Sequence, residues 1–149
     1  MDENELIRKL KLIENLHAGA TTAGEKDAAA DALRRIQERL TQEQSQAKEH
    51  PEEYTFSMPD AWRRKLFMAL LRRYGIQPYR YHRQHHTTVR ARVSKRFVDQ
   101  TLWPQYTLMS EELSCYLSEA TDRIIAEAVH QDSSDEAQVV EEPKQLSFL

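Results

Sequence analysis

The chain has 149 residues, 30% of them charged, with three glycines and five prolines, a composition that favours helix and supports one modest core. Its one cysteine, Cys115, excludes an internal disulfide framework and fits a reducing cytoplasm, and no apolar run approaches membrane-spanning length. The net charge of −3 hides a segregation: Asp60 to Arg96 holds 11 Lys/Arg and one acid, whereas residues 1–59 sum to −4 and residues 97–149 to −9.

The acidic start, Met1-Asp2-Glu3-Asn4-Glu5, is unlike a secretory signal. Leu6, Leu10, Ile13 and Leu16/His17 recur at helical spacing and predict a helix from Glu3 to His17. Gly19 lies just past its end, and Thr22 to Glu25 has capping-box spacing ahead of a second helix running to Lys48. That helix carries the stripe Ala29, Leu33, Ile36 and Leu40, and its end, Gln42 to Gln46, is polar all round and expected to fray. Residues 1–48 thus read as a helical hairpin and 49–56 as a linker.

A third helix is expected after Ser57-Met58-Pro59-Asp60, with Pro59 near its first turn and Gly75 as its stop. Its apolar face is Trp62, Leu66, Ala69 and Leu70, widened by Phe67, Met68 and Leu71. After Gly75 the period becomes two. Tyr79 and Tyr81 alternate with Arg80 and His82, and Val89, Ala91 and Val93 alternate with Thr88, Arg90 and Arg92. This predicts a β-hairpin turning at Arg83-Gln84-His85-His86, with the tyrosines and valines inside and the arginines outside. Ser94 caps a short helix from Lys95 to Trp103, ended by Pro104, and the last long helix spans Thr107 to His130. Its stripe, Leu113, Tyr116/Leu117, Ala120, Ile124 and Ala128, includes Cys115 as a small packing residue. Residues 57–130 form a basic domain, and 131–149 an acidic tail, disordered to Lys144, with an apolar end. The fold class is α+β, mostly helical, with helices covering one face of a small sheet.

The basic segment reads as a footprint for DNA or RNA. Its arginines outnumber its lysines nine to two, and guanidinium forks suit phosphate oxygens. The candidate contacts are Arg63, Arg64, Arg72 and Arg73 on the helix, Arg80, His82, Arg83, Arg90 and Arg92 on the ribbon, and Lys95 and Arg96 after it. An exposed aromatic among them would stack bases. The rival reading is self-screening by the acidic flanks. His82, His85 and His86 invite a metal-dependent enzyme as a third reading, yet His85 points away from the other two on a strand, and neighbouring arginines repel a cation. No Gly-rich phosphate loop, nucleophile elbow or paired-carboxylate motif occurs, so no catalytic residue, metal or cofactor is assigned. The expected role is that of a non-enzymatic accessory protein. The alternative is a phage or host interaction protein that makes no nucleic-acid contact.

Two resemblances add to this. Ile7-Arg8-Lys9-Leu10 and Ile13-Glu14, then Glu25, Ala28, Ala29, Ala32, Ile36 and Leu40, resemble the opening hairpin of a bacterial and phage family of unknown function. The family's Leu-Met-Gly end of the second helix is missing, while Arg-Phe-Val-Asp-x-x-Leu-Trp-Pro at 96–104 is similar to the region beyond that hairpin in some members. The resemblance implies no activity. Gln145-Leu146-Ser147-Phe148-Leu149 resembles the peptide by which bacterial polymerases and repair factors dock on the sliding clamp, with the last two residues inverted. It implies recruitment to replication or repair.

Overall fold

The computed structural model describes residues 1–17 and 26–145. It is a mostly helical α+β protein: α1 (Glu3–His17), α2 (Lys26–Lys48), β1 (Glu52–Ser57), α3 (Ala61–Arg73), β2 (Thr88–Val93), α4 (Lys95–Phe97), a π-helical turn (Val98–Leu102) and α5 (Trp103–Ala128). Two compact units are present, Met1–Tyr116 and Leu117–Leu149. The expected turn around Gly19 and the capping box at Thr22 lie outside the described residues.

The sheet differs from the expected hairpin. β2 pairs antiparallel with β1, from Glu52↔Val93 to Ser57↔Thr88, so the supposed linker at 49–56 contains a strand. Tyr54 and Phe56 supply its inward face, and Glu53, Thr55 and Ser57 its outward one. The stretch around Tyr79 touches the far edge of β2 through one bridge, Tyr79↔Arg90, and the chain turns away from His82 onward. Tyr81 is therefore exposed rather than buried.

The inward face of β2 obeys its alternation, with Val89, Ala91 and Val93 buried. They meet Phe67, Leu70 and Leu71 from α3, Tyr74 at its C-cap, and Phe97, Leu102, Tyr106 and Met109 from the last helical stretch. Phe67 is the centre, its ring 4.6 Å from Phe56 and edge-on to Tyr106 at 5.3 Å. This core rotates the expected α3 face: Ala69 is exposed and Trp62 half-buried, because the sheet approaches from the side of Phe67. Gly75 ends the helix with φ 73°, and Ile76 N–H donates to Leu71 O at 2.9 Å in a Schellman arrangement.

Ser94 caps the next helix as expected, accepting from Phe97 N–H at 3.1 Å. That helix does not stop at Pro104. The chain runs through Val98–Leu102 as a π turn, one residue short of Pro104, which has no N–H to offer the i−4 carbonyl. Further on, Cys115 and Ile124 are exposed, so α5 does not bury its whole stripe. Gln131 to Gln145 contains no helix or strand.

The first two helices are seated by unexpected residues. Leu6, Leu10 and Ile13 face the core, whereas Leu16 and Leu33 are exposed. α2 is held at its polar end: Glu43 and Ala47 are buried, and Ser94 N–H donates to Ala47 O at 3.1 Å. The end expected to fray is thus pinned. Glu43 Oε1 lies 3.6 Å from Arg39 Nε, while Oε2 has no hydrogen-bond partner. Burial pushes this carboxyl up, opposed by Arg39, the Tyr74 hydroxyl and Arg73. Tyr74 donates to Gln105 Oε1 at 2.6 Å, which carries the polar cluster through the core.

Phe67→Ala is expected to cost about 3–5 kcal/mol in urea denaturation, as it removes the ring joining sheet to helices. For Glu43, the raised native pKa favours the protonated form. Its stabilising contribution is full in acid and lost as pH rises through the raised value. Glu43→Gln does not titrate, so its stability relative to the parent should increase from mildly acid to neutral pH in paired thermal melts.

Candidate nucleic-acid interface

α3 distributes its charges by helical geometry. Arg64, Met68 and Arg72 recur at i, i+4 and i+8 in a row that flanks the buried Phe67, Leu70 and Leu71, with Met68 packed against the core. This face meets the segment before β2 and forms a groove of about 320 Å³. Met68, Pro78 and Val89 give it an apolar floor, and Arg64, Arg72, Arg80, His86 and Thr88 surround it. Arg64 Nη1 donates to Met58 O at 3.0 Å and Arg80 Nη1 to Gln84 O at 2.9 Å. Each guanidinium is thereby held in place while keeping further N–H donors.

The other predicted contacts do not join one stripe. Arg63 pairs with Asp60, Nε to Oδ2 3.3 Å, and lies over Trp62. Arg73 turns toward α1, where Glu14 accepts from it. Arg96 lies 3.9 Å from Glu49 and donates to Gln100 at 3.4 Å. Arg90 is the most heavily engaged: Nη1 donates to Glu53 Oε1 at 2.5 Å, Nε donates to Gln84 Oε1 at 3.0 Å, and the guanidinium sits 4.7 Å from the Tyr81 ring centroid. Self-screening by the acidic N-terminal region thus applies to Arg73, Arg90 and Arg96, through Glu14, Glu53 and Glu49.

Among the described residues, no carboxylate pairs with Arg64, Arg72, Arg80, Arg83, Arg92 or Lys95. Lys65, absent from the sequence-based set, is exposed beside them and also lacks a carboxylate partner among the described residues. Arg83 is exposed with φ 70° at the tip of the loop, and His82 is exposed beside it. Arg92 lies on the outward face of β2, near Lys48 and Gly75.

Glu53 was missed because it read as part of a linker. Its Oε2 accepts from the Tyr79 hydroxyl at 2.6 Å and from the Tyr81 hydroxyl. The Tyr79 bond, then those from Tyr81 and Arg90, holds this carboxyl below its ordinary value. Burial and Glu53 together push the Tyr79 hydroxyl up to about 12, and the bond to Glu53 is the main cause of the rise at Tyr81. The signal lay in the period-two pattern Glu53-Tyr54-Thr55-Phe56, readable as a strand once a partner is supplied.

The histidines form no metal centre. His85 and His86 stack with centroids 4.6 Å apart, and His85 Nδ1 lies 2.9 Å from Thr87 Oγ1. No group of three or more His, Cys, Asp or Glu converges as ligands among the described residues. No helix among them is long and apolar enough to cross a membrane. Of the clamp-like peptide only Gln145 is described; Leu146, Ser147, Phe148 and Leu149 lie outside the described residues. No protein-family model, curated protein or solved structure matches the chain.

Glu53→Gln should lower the pH at which Tyr79 and Tyr81 ionise, because the phenolates would no longer face a carboxylate. Ultraviolet titration of the tyrosines, compared with the parent, reads this shift.

Proposed function

We propose that this protein is a non-enzymatic nucleic-acid-binding accessory protein whose phosphate contacts centre on the groove between α3 and the start of β2. One observation carries the reading: Arg64, Arg72 and Arg80 surround one groove, and none is neutralised by a carboxylate among the described residues. Four other arginines of the basic segment, Arg63, Arg73, Arg90 and Arg96, are paired with acids. A merely solvated charge would have no need of concavity. Three planar forks about an apolar floor match a backbone phosphate with its sugar against Met68 and Val89. Arg83, Arg92, Lys65 and Lys95 extend the positive field and would steer a polyanion toward the groove.

Fluorescence anisotropy with labelled strands over a salt series tests this. Binding should weaken steeply with salt as counterions are released. Replacing Arg64, Arg72 and Arg80 by Ala together should weaken binding at least about tenfold and flatten the log–log salt slope by about 2–3. Arg73→Ala, which removes a guanidinium held by Glu14, should leave the slope unchanged. Absence of binding at low salt, or binding indifferent to salt, overturns the proposal.

A further inference from the structure

The arginine groove accounts for phosphates, and the two rings that line it are already engaged: Tyr79 is bound to Glu53 and packed against Tyr81, and His86 is stacked on His85. Three aromatic side chains lie at or near the surface close to it. Trp62 is half-buried with the Arg63 guanidinium 4.9 Å from its ring centroid. Tyr81 carries Arg90 at 4.7 Å and engages Glu53 with its hydroxyl. Trp103 differs: no guanidinium covers it among the described residues. Phe56 stacks against it at 6.2 Å and 15°, and Tyr106 braces it at 5.2 Å. The indole is 44% exposed and opens on a second groove, of about 710 Å³, between the start of α3 and α5.

The lining of this groove selects among ligands. Met58 and Pro59 are apolar, Thr107 and Ser114 bring hydroxyls, Glu111 brings a carboxylate, and the Arg63 guanidinium is turned to Asp60. Asp60 is engaged by Arg63, but Glu111 has no ion-pair partner among the described residues. A phosphate would be repelled by Glu111. A nucleobase suits it, offering a π-face to Trp103, N–H donors to the carboxylate and acceptors to the hydroxyls.

The two grooves share a wall. Met58 lines the second, and its carbonyl accepts from Arg64 of the first. Its sulfur also accepts from the Tyr106 hydroxyl at 3.4 Å. Ser57 on the rim of one is paired with Thr88 on the rim of the other. The Met58 carbonyl and the Ser57–Thr88 pair thus connect the two grooves, the route that a bound strand would take between them.

We propose that the Trp103 groove is a binding site for an unpaired nucleobase, so that the protein prefers single strands to duplex. This rests on the nucleic-acid reading above and adds strand choice to it. A paired base has both faces in the stack and must be extruded first, whereas a single strand offers its bases directly.

The test uses the full chain carrying Trp62→Phe, which leaves Trp103 as its one tryptophan. It is titrated with a short oligodeoxycytidine strand and with a duplex of equal length, reading tryptophan fluorescence and anisotropy. The single strand should quench Trp103 and bind about tenfold tighter than the duplex, the scale of one base–aromatic stack. Adding Ser114→Phe fills the groove without removing a core ring. It should abolish the quenching and the single-strand preference while leaving salt-dependent duplex binding intact. Single-strand binding that does not quench Trp103, or that survives Ser114→Phe unchanged, overturns the inference alone. Failure of both strands to bind at low salt overturns the nucleic-acid reading and this inference with it.

Discussion

The antiparallel pairing of β1 with β2 is the constraint on which the rest depends. It joins residues on either side of α3, so the helix must fold back across the sheet. Phe56 and Val89, brought opposite each other, receive Phe67, and that contact sets the angular position of α3. Once Phe67 points inward, Arg64 and Arg72 must turn to the side where β2 begins. The groove is thus a consequence of the core: the same helical period that buries one set of residues presents the other.

The pairing also determines which charges are cancelled. Glu53 lies opposite Arg92 and diagonal to Arg90 on the outward face, and its bond to Arg90 recruits Tyr79 and Tyr81. A carboxylate held by two hydroxyls and a guanidinium fixes the loop against β2. That loop contributes Arg80 and His86 to the groove. The neutralised arginine therefore serves the architecture, whereas Arg64, Arg72 and Arg80 have no carboxylate partner among the described residues. The buried Glu43 makes a related compromise: it anchors α2 beside Tyr74 with one oxygen unsatisfied.

Much of the local structure was legible because it rests on short-range rules. Ser94 as a cap, Gly75 as a stop, the inward Val89, Ala91 and Val93, and the stripe of α1 up to Ile13 are all set by neighbours within a few residues. The errors share a different cause. A strand at 52–57 was hidden by Pro51 and two glutamates, since its alternation gains meaning only beside a partner strand. Tyr81 read as core because period two identifies faces without saying which one is covered. The polar end of α2 read as frayed because no local rule anticipates Ser94 binding the last turn from 48 residues away.

The sequence by itself determined that positive charge is concentrated between Asp60 and Arg96, and that it is largely arginine on regular elements. Composition and helical or strand period are local properties, and they sufficed for that. Only the tertiary structure decided which of those charges remain available. Glu14 reaches Arg73 across 59 residues, and Glu53 reaches Arg90 across 37. Ion pairing depends on distance in space, which is set by how the core packs. The same packing left Arg64, Arg72 and Arg80 around one groove, and turned Trp103 outward beside it.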